Sequence, residues 1–364
     1  MAGKFLYEQI YETLKNRIED GTYPEESRLP GSRALAAEFD TTVATVVKAF
    51  SLLEERKYLF RKPKSGTFVH PASFRNAHNA EHVKTGLVGA IVFDSSVSVY
   101  WSQVLSGMEE AVSRQGKHLV VGHSDHSIDK ALRYVHELTA KGIDGFIFVP
   151  IDMADADSYE RENLRVIREL DETGRPYVLF DRHLSSVKRP CVGPDSYETA
   201  VQLVRHLMEQ GVSTPLCVSL YYGSVIGDRE KAFCDVLVQK GIPNPKRRIV
   251  RLDTYRVTDA LTEDIIETLG SFPDADGIFC VNSNVLNGVT EALLRMNAAR
   301  RPLVVGFHEI DMRHPEMVCA WAVQPIGRLG RAAGDLVVAM IDDEARDRQA
   351  ITQIFYLCRL KLRE

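Results

Sequence analysis

The sequence has 364 residues, with 45 Lys+Arg against 50 Asp+Glu, 45% hydrophobic and 26% charged side chains. That length exceeds one ordinary domain, and the composition is that of a globular chain, which excludes disordered and fibrous classes. No apolar run approaches the roughly 18 to 20 residues of a membrane helix, and the N-terminus shows no signal-peptide core, so a cytoplasmic location without a membrane partner is expected.

The first seventy residues carry the strongest pattern. Leu6, Ile10, Leu14 and Ile18 form an i, i+4 stripe that predicts a helix over residues 5–20, stopped by Gly21. A short helix over 32–39 follows, with Leu35, Ala36 and Phe39 on one face. Asp40, Thr41 and Thr42 make a turn, and Thr42 is placed to cap a second helix running to about residue 56. That helix buries Val46, Ala49, Phe50 and Leu53, and leaves Thr42, Thr45 and Lys48 elsewhere on its surface for base edges or phosphates. The run FRKPKSGTFV then reads as a β-ribbon with Ser65-Gly66 at its tip and Lys62 and Lys64 before the turn. Two helices around a tight turn, followed by a ribbon, predict a winged helix-turn-helix over residues 1–70 with a double-stranded DNA operator as partner. Residues 1–72 hold eleven basic and ten acidic side chains, so the basic excess is local to the second helix and the wing.

This segment resembles the DNA-binding domain of the GntR family of bacterial regulators, whose motif runs LPSERELA, VSRTTVREAL and GxGTFV. Leu29, Pro30, Arg33, Leu35 and Ala36 match the first block; Thr45, Val46 and Ala49 the second; Gly66 to Val69 the wing. The resemblance implies that Arg33, Thr45 and Gly66 contact DNA. Where the family has Ser-Arg at the start of the recognition helix this chain has Thr42-Val43, and the following family arginine is Val47.

Residues 71–84 are polar and without periodicity, as in a linker. From residue 85 to 364, short apolar runs (87–93, 118–122, 145–150, 176–180, 216–221, 249–252, 277–281 and 303–307) alternate with helical stretches, among them one opening at Arg229. That alternation predicts an α/β domain of parallel sheets flanked by helices. Ligands of such sheets bind at the carboxyl ends of strands. The residues there are Asp94, Asp125, Asp181, Arg182, Tyr222, Tyr255, Asn282 and His308, with Trp101 beside them for ring stacking. Such forked donors, acceptors and aromatic faces suit a polyhydroxylated small molecule and form no recognisable catalytic unit.

Three segments in this stretch resemble the LacI/GalR effector domain, itself similar to periplasmic sugar-binding proteins: GRPYVLFDRHL, GDREKAFCDVL and DGIFCVNSNVLNGVTEAL, with others spread to residue 341. The resemblance implies a two-lobed domain in which Arg229 grips the effector, Asn282 and Asp181 line the cleft and Tyr255 covers the ligand. His308 stands where that family usually has Asp. A GntR-type head on a LacI-type domain is the arrangement of arabinose-repressor-type regulators, and implies a homodimer controlled by a sugar-like effector.

Other classes are weaker. Six cysteines, all from Cys191 onward and without a CxxC pair, read as reduced thiols. His118, His123 and His126 fit no metal-ligand spacing, and Asp152, Asp155 and Asp157 read as a solvated loop with little to raise a pKa. Neither a GxxxxGK[ST] nor a GxGxxG loop follows the first strand. A pyridoxal-phosphate enzyme fused to the head needs a Schiff-base lysine in a small-residue context, which is missing, so no cofactor, metal or catalytic residue is expected. A sugar receptor outside the cytoplasm is opposed by the head; a regulator answering a nucleobase is the nearer alternative.

Overall fold

The computed structural model describes residues 6–55, 58–62, 65–71, 84–93, 99–252, 259–296, 301–308, 312–342 and 352–363. They divide into two compact units, Met1–Val83 and Lys84–Glu364. Nearly all of the expected linker lies outside the described residues.

In the first unit, α1 (Leu6–Glu19), α2 (Ser32–Glu38) and α3 (Val43–Glu55) precede a two-stranded antiparallel ribbon, β1 (Leu59–Lys62) and β2 (Gly66–Val69). Ile10, Leu14 and Ile18 of α1 meet Leu35, Val46, Ala49, Phe50 and Leu53 in one core. Leu6 departs from the expected stripe: it is exposed. The segment before α2 adds an isolated bridge, Arg28 against Phe68, to this ribbon. Glu26 and Leu29 donate their N–H groups to the carbonyls of Val69 and Thr67, and Val69 donates to Ser27, which ties the segment before α2 to the wing.

The second unit is built from two six-stranded sheets. The first has the order β13–β7–β6–β5–β3–β4, all parallel: β3 Leu87–Val92, β4 His118–His123, β5 Gly145–Phe148, β6 Tyr177–Phe180, β7 Cys191–Pro194 and β13 Gln353–Tyr356. The second has the order β14–β12–β11–β10–β8–β9: β8 Pro215–Ser219, β9 Ile249–Arg251, β10 Gly277–Cys280, β11 Leu303–His308, β12 Val318–Val323 and β14 Arg359–Leu362. Only β14 among these runs antiparallel, against β12. Strands such as β5, β6, β8 and β10 are buried at every position, because helices cover both faces of a parallel sheet.

Helices α4 (Val99–Arg114), α5 (Ile128–Ala140), α6 (Ala156–Thr173) and α11 (Ile326–Asp342) pack on the first sheet. Helices α7 (Ser196–Glu209), α8 (Ser224–Gln239), α9 (Asp259–Ser271) and α10 (Ser283–Met296) pack on the second. Side-chain caps start several of them: Ser127 accepts the Lys130 N–H, Asp155 that of Ser158 and Asp195 that of Glu198. Each lobe therefore has its own core. The chain crosses between lobes after Pro194, at Gln324–Pro325 and between Leu357 and Cys358. Helix α11 thus returns to the first lobe after the second has formed all but its edge strand β14, and lies close against α4. A Cβ on Gly107 would come 2.6 Å from the Gly327 carbonyl, one on Gly334 2.9 Å from that of Met108, and one on Gly330 would overlap that of Val104.

Candidate functional site

Two sites follow from the sequence, one in each unit. In the head, Thr42 accepts the Thr45 N–H at 3.2 Å, and the two hydroxyl oxygens lie 2.8 Å apart, so Thr42 is the helix cap its position suggested. Arg33 is exposed on α2, and Lys48 is exposed on α3 with its ammonium 3.9 Å from the centre of the Tyr7 ring. Lys62 lies over the wing rings of Phe60 and Phe68, at 5.4 and 4.8 Å. Gly66 has φ +119°, a conformation that side chains resist, and a Cβ there would meet the Arg28 Nε at 2.7 Å. Arg28 is therefore beside the wing turn, a position the sequence reading passed over. Lys64 lies outside the described residues.

In the second unit the strand ends meet across the lobes. Met153, just after β5, and Tyr222, just after β8, exchange backbone hydrogen bonds of 2.9 and 2.7 Å. Beside this bridge, Ser224 Oγ at the start of α8 accepts the His183 N–H at 3.0 Å. The Tyr159 hydroxyl donates to the His183 carbonyl at 2.9 Å, and burial raises its pKa far above the ordinary value. Gly223 packs so closely over Asp152 and Arg182 that a side chain there would overlap the carboxylate.

Beneath Gly223 lies a buried charged cluster. Arg182 Nη2 is 2.7 Å from Asp152 Oδ2, and Arg182 Nη1 is 3.6 Å from Asp181 Oδ2. Its guanidinium also sits 4.4 Å from the Phe93 ring centre, and Tyr100 donates its hydroxyl proton to Asp181 at 3.1 Å. Burial opposes the Arg182 charge, but Asp152 and Asp181 outweigh it and hold the guanidinium firmly charged. For Asp152 burial wins: its carboxyl is pushed up to about 7, with Arg182 pulling down and Asp181 pushing further up. The solvated loop expected for Asp152 is thus corrected, whereas Asp155 is an exposed helix cap. Asp181 itself has φ +65°, a left-handed conformation uncommon for a residue with a Cβ, and it is held by a hydrogen bond from its N–H to Val192.

On the facing lobe, Arg229 is 2% exposed. Its Nη1 donates to the Val281 carbonyl at 2.5 Å, its Nη2 to Ser196 Oγ at 3.3 Å, and its guanidinium stacks 3.5 Å from the Phe307 ring centre. It does not open a helix, as expected from sequence, but lies in the second turn of α8, which starts at Ser224. Asn282 follows β10 and accepts the Val285 N–H at 2.9 Å, which caps α10. Arg229, Asn282 and the end of β11 at His308 therefore converge; the His308 side chain lies outside the described residues, as do Asp94 and Tyr255.

Trp101 needs a correction. It is buried in the first lobe, edge-on to Phe93 and Tyr100 at 5.3 Å each, so it supports the Tyr100–Asp181 contact and offers no open face for stacking. Among the described residues no group of three or more His, Cys, Asp or Glu could hold a metal ion, and no helix is long and apolar enough to cross a membrane. Burial raises the Cys191 thiol to about 12, with Asp181 adding to it.

Residues 6–69 match the gntR family of bacterial regulatory proteins, and residues 85–361 match the family of periplasmic binding proteins and sugar binding domain of LacI family. The second match covers most of the chain. The chain belongs to that LacI-type family. Its relatives include the arabinose metabolism transcriptional repressor of Halalkalibacterium halodurans, 20% identical over 94% of this chain and 91% of that one. The ribose operon repressor of the same organism is 24% identical, over 86% and 91%. Among solved structures, the complex of the transcriptional regulator CelR with cellobiose superposes with a TM-score of 0.66 at 18% identity, covering 92% of this chain and 99% of that one. A LacI-family regulator from Enterococcus faecium with bound ribose gives a TM-score of 0.60 at 21% identity, over 76% and 96%. These likenesses show a LacI-type fold behind a gntR-type winged head.

Proposed function

We propose that this LacI-family chain is a cytoplasmic, homodimeric transcriptional repressor. A sugar or sugar derivative held between its lobes sets its affinity for a double-stranded DNA operator. One observation carries the reading: the Asp152–Arg182–Asp181 cluster of one lobe lies directly under residues 222–224 of the other, at the carboxyl ends of both sheets. A ligand seated beside this contact touches both lobes at once, and its differential affinity for two lobe arrangements is what shifts their balance. Carboxylate acceptors and a forked cation meet adjacent hydroxyls in pairs. The relatives named for arabinose and ribose support a sugar as effector. Effector-contacting groups are taken to be Asp181, Arg182, Arg229 and Asn282, with Arg33, Thr45, Lys48 and Lys62 facing DNA.

The test is a thermal-shift screen of the full chain against pentoses, hexoses, their phosphates and nucleobases, followed by operator release with each hit. A ligand at 100 times its dissociation constant should add about 2.7 kcal/mol of stability. A panel in which only nucleobases stabilise the protein would overturn the sugar reading.

A further inference from the structure

The outward side of α3 offers carbon where a helix bound for a charged duplex needs contacts. Val46, Ala49, Phe50 and Leu53 are buried, and helical spacing puts Val43 and Val47 one turn apart outside that sector. They are 41% and 39% exposed, and Ala44 is exposed beside them. The hydroxyls on this helix are engaged in local hydrogen bonds. Thr42 and Thr45 bond each other, and Ser51 donates to the Val47 carbonyl at 3.0 Å. Lys48 is drawn onto the Tyr7 ring. Beside the exposed Lys48, what the first two turns present outward is therefore a run of methyl groups.

An exposed apolar face on a DNA-binding head needs an occupant, and its surroundings indicate which. Arg33 and Lys62 are exposed cations of the same small unit, suited to phosphates, and the exposed Arg61 pairs with Glu54 of α3. Of the groups that base pairs present in the major groove, the thymine C5-methyl is the apolar one. We infer that Val43, Ala44 and Val47 recognise thymine methyls, so that A·T pairs are selected under the N-terminal half of α3 by apolar contact and not by hydrogen bonds. The inference rests on α3 being the helix that enters the major groove. It deepens that reading by naming the chemistry it selects.

Uracil for thymine is the decisive substitution, since it removes the methyl and leaves every pairing and groove hydrogen-bonding group in place. The probe is a duplex selected from a random library by the full-length protein. Replacing each thymine of one half-site in turn should weaken binding about fourfold at the contacted positions, the loss expected for withdrawing one buried carbon. Val47→Ala should bind the thymine duplex more weakly and lose its sensitivity to uracil at one of those positions. If uracil at every thymine changes affinity by less than about twofold while Thr45→Ala and Val47→Asp still abolish binding, α3 enters the groove without reading methyls and the inference fails. If no substitution on α3 alters binding, the recognition-helix reading fails with it.

Discussion

Ser224 and His183 belong to different lobes, and the hydroxyl oxygen of the first accepts the backbone N–H of the second at 3.0 Å. With the Met153–Tyr222 bridge beside it, this contact fixes how the two sheets face one another at the cluster. Ser224→Ala removes the acceptor and should lower unfolding free energy by about 0.5 to 1.5 kcal/mol. It should also weaken effector binding, because this arrangement of the lobes loses one of its own contacts. Ser224→Thr keeps a hydroxyl and should restore much of both. Urea unfolding and effector titration of the two variants check this; an unchanged midpoint in Ser224→Ala would remove the contact from the account.

Asp152 makes stability depend on pH. Its folded-state pKa, pushed up to about 7 by burial, stands above the ordinary carboxyl value of 3.8, so the folded protein holds this proton more tightly than the unfolded chain. The associated stabilisation is complete below about pH 4 and is lost as pH rises through about 7. Melting temperatures of wild type and Asp152→Asn, measured across this window, should diverge in slope, the amide being flatter. Parallel profiles would mean that the carboxyl is ionised throughout, paired with Arg182.

Arg182→Met should be among the most destabilising single changes in the first lobe. It strands Asp152 and Asp181 in a buried setting, and breaking such a pair typically costs about 3 to 5 kcal/mol. The double variant Arg182→Met, Asp152→Leu should recover part of that loss. Chemical denaturation of the three proteins gives the comparison.

Arg229→Ala should weaken effector binding by roughly 10- to 150-fold, the range for losing a charged hydrogen-bond partner, while the operator affinity of the free protein holds. Because Arg229 also ties α8 to Val281 and Ser196, the second lobe should melt earlier. Calorimetry with effector and operator-release titration separate the two effects. Wild-type effector affinity with a lowered melting temperature would leave Arg229 a purely structural role.

At Thr42 the capping and DNA-facing roles separate by charge. Thr42→Ala should cost the head about 1 kcal/mol, and Thr42→Asp should retain the cap. The aspartate, however, brings negative charge toward phosphates, so it should fold normally and bind operator poorly. Equal operator affinity for Thr42→Asp and wild type would place the start of α3 away from the duplex.

The head was legible because its signals are local: the α1 stripe, the Thr42 cap and the wing turn each lie within a few residues. The buried parallel strands were legible as uninterrupted apolar runs. Strands β7, β12, β13 and β14 were not: CVGP, QIFY and RLKL are short, the last two have no buried position, and VCAWAV is buried only at alternate positions. The start of α8 was missed because Gly223 is its cap residue and supplies no side-chain hydrogen bond. The Asp152–Arg182 pair could not be read at all: its partners are 30 positions apart, and only folding buries them together. Trp101 was misjudged because adjacency to a strand end does not say which way a ring turns.

The return of α11 to the first lobe bears on how the protein is made. A ribosome delivers residues 84–194 early, yet the glycine-lined face that closes on α4 belongs to residues 326–342 and its edge strand to 353–356. Until those emerge, the side of α4 that faces α11 has no cover, while the second lobe lacks only β14. Synthesis should therefore leave the α4 face that α11 covers open to solvent until almost the last residues leave the exit tunnel, and a premature stop near residue 320 should yield a chain that chaperones and proteases treat as unfinished.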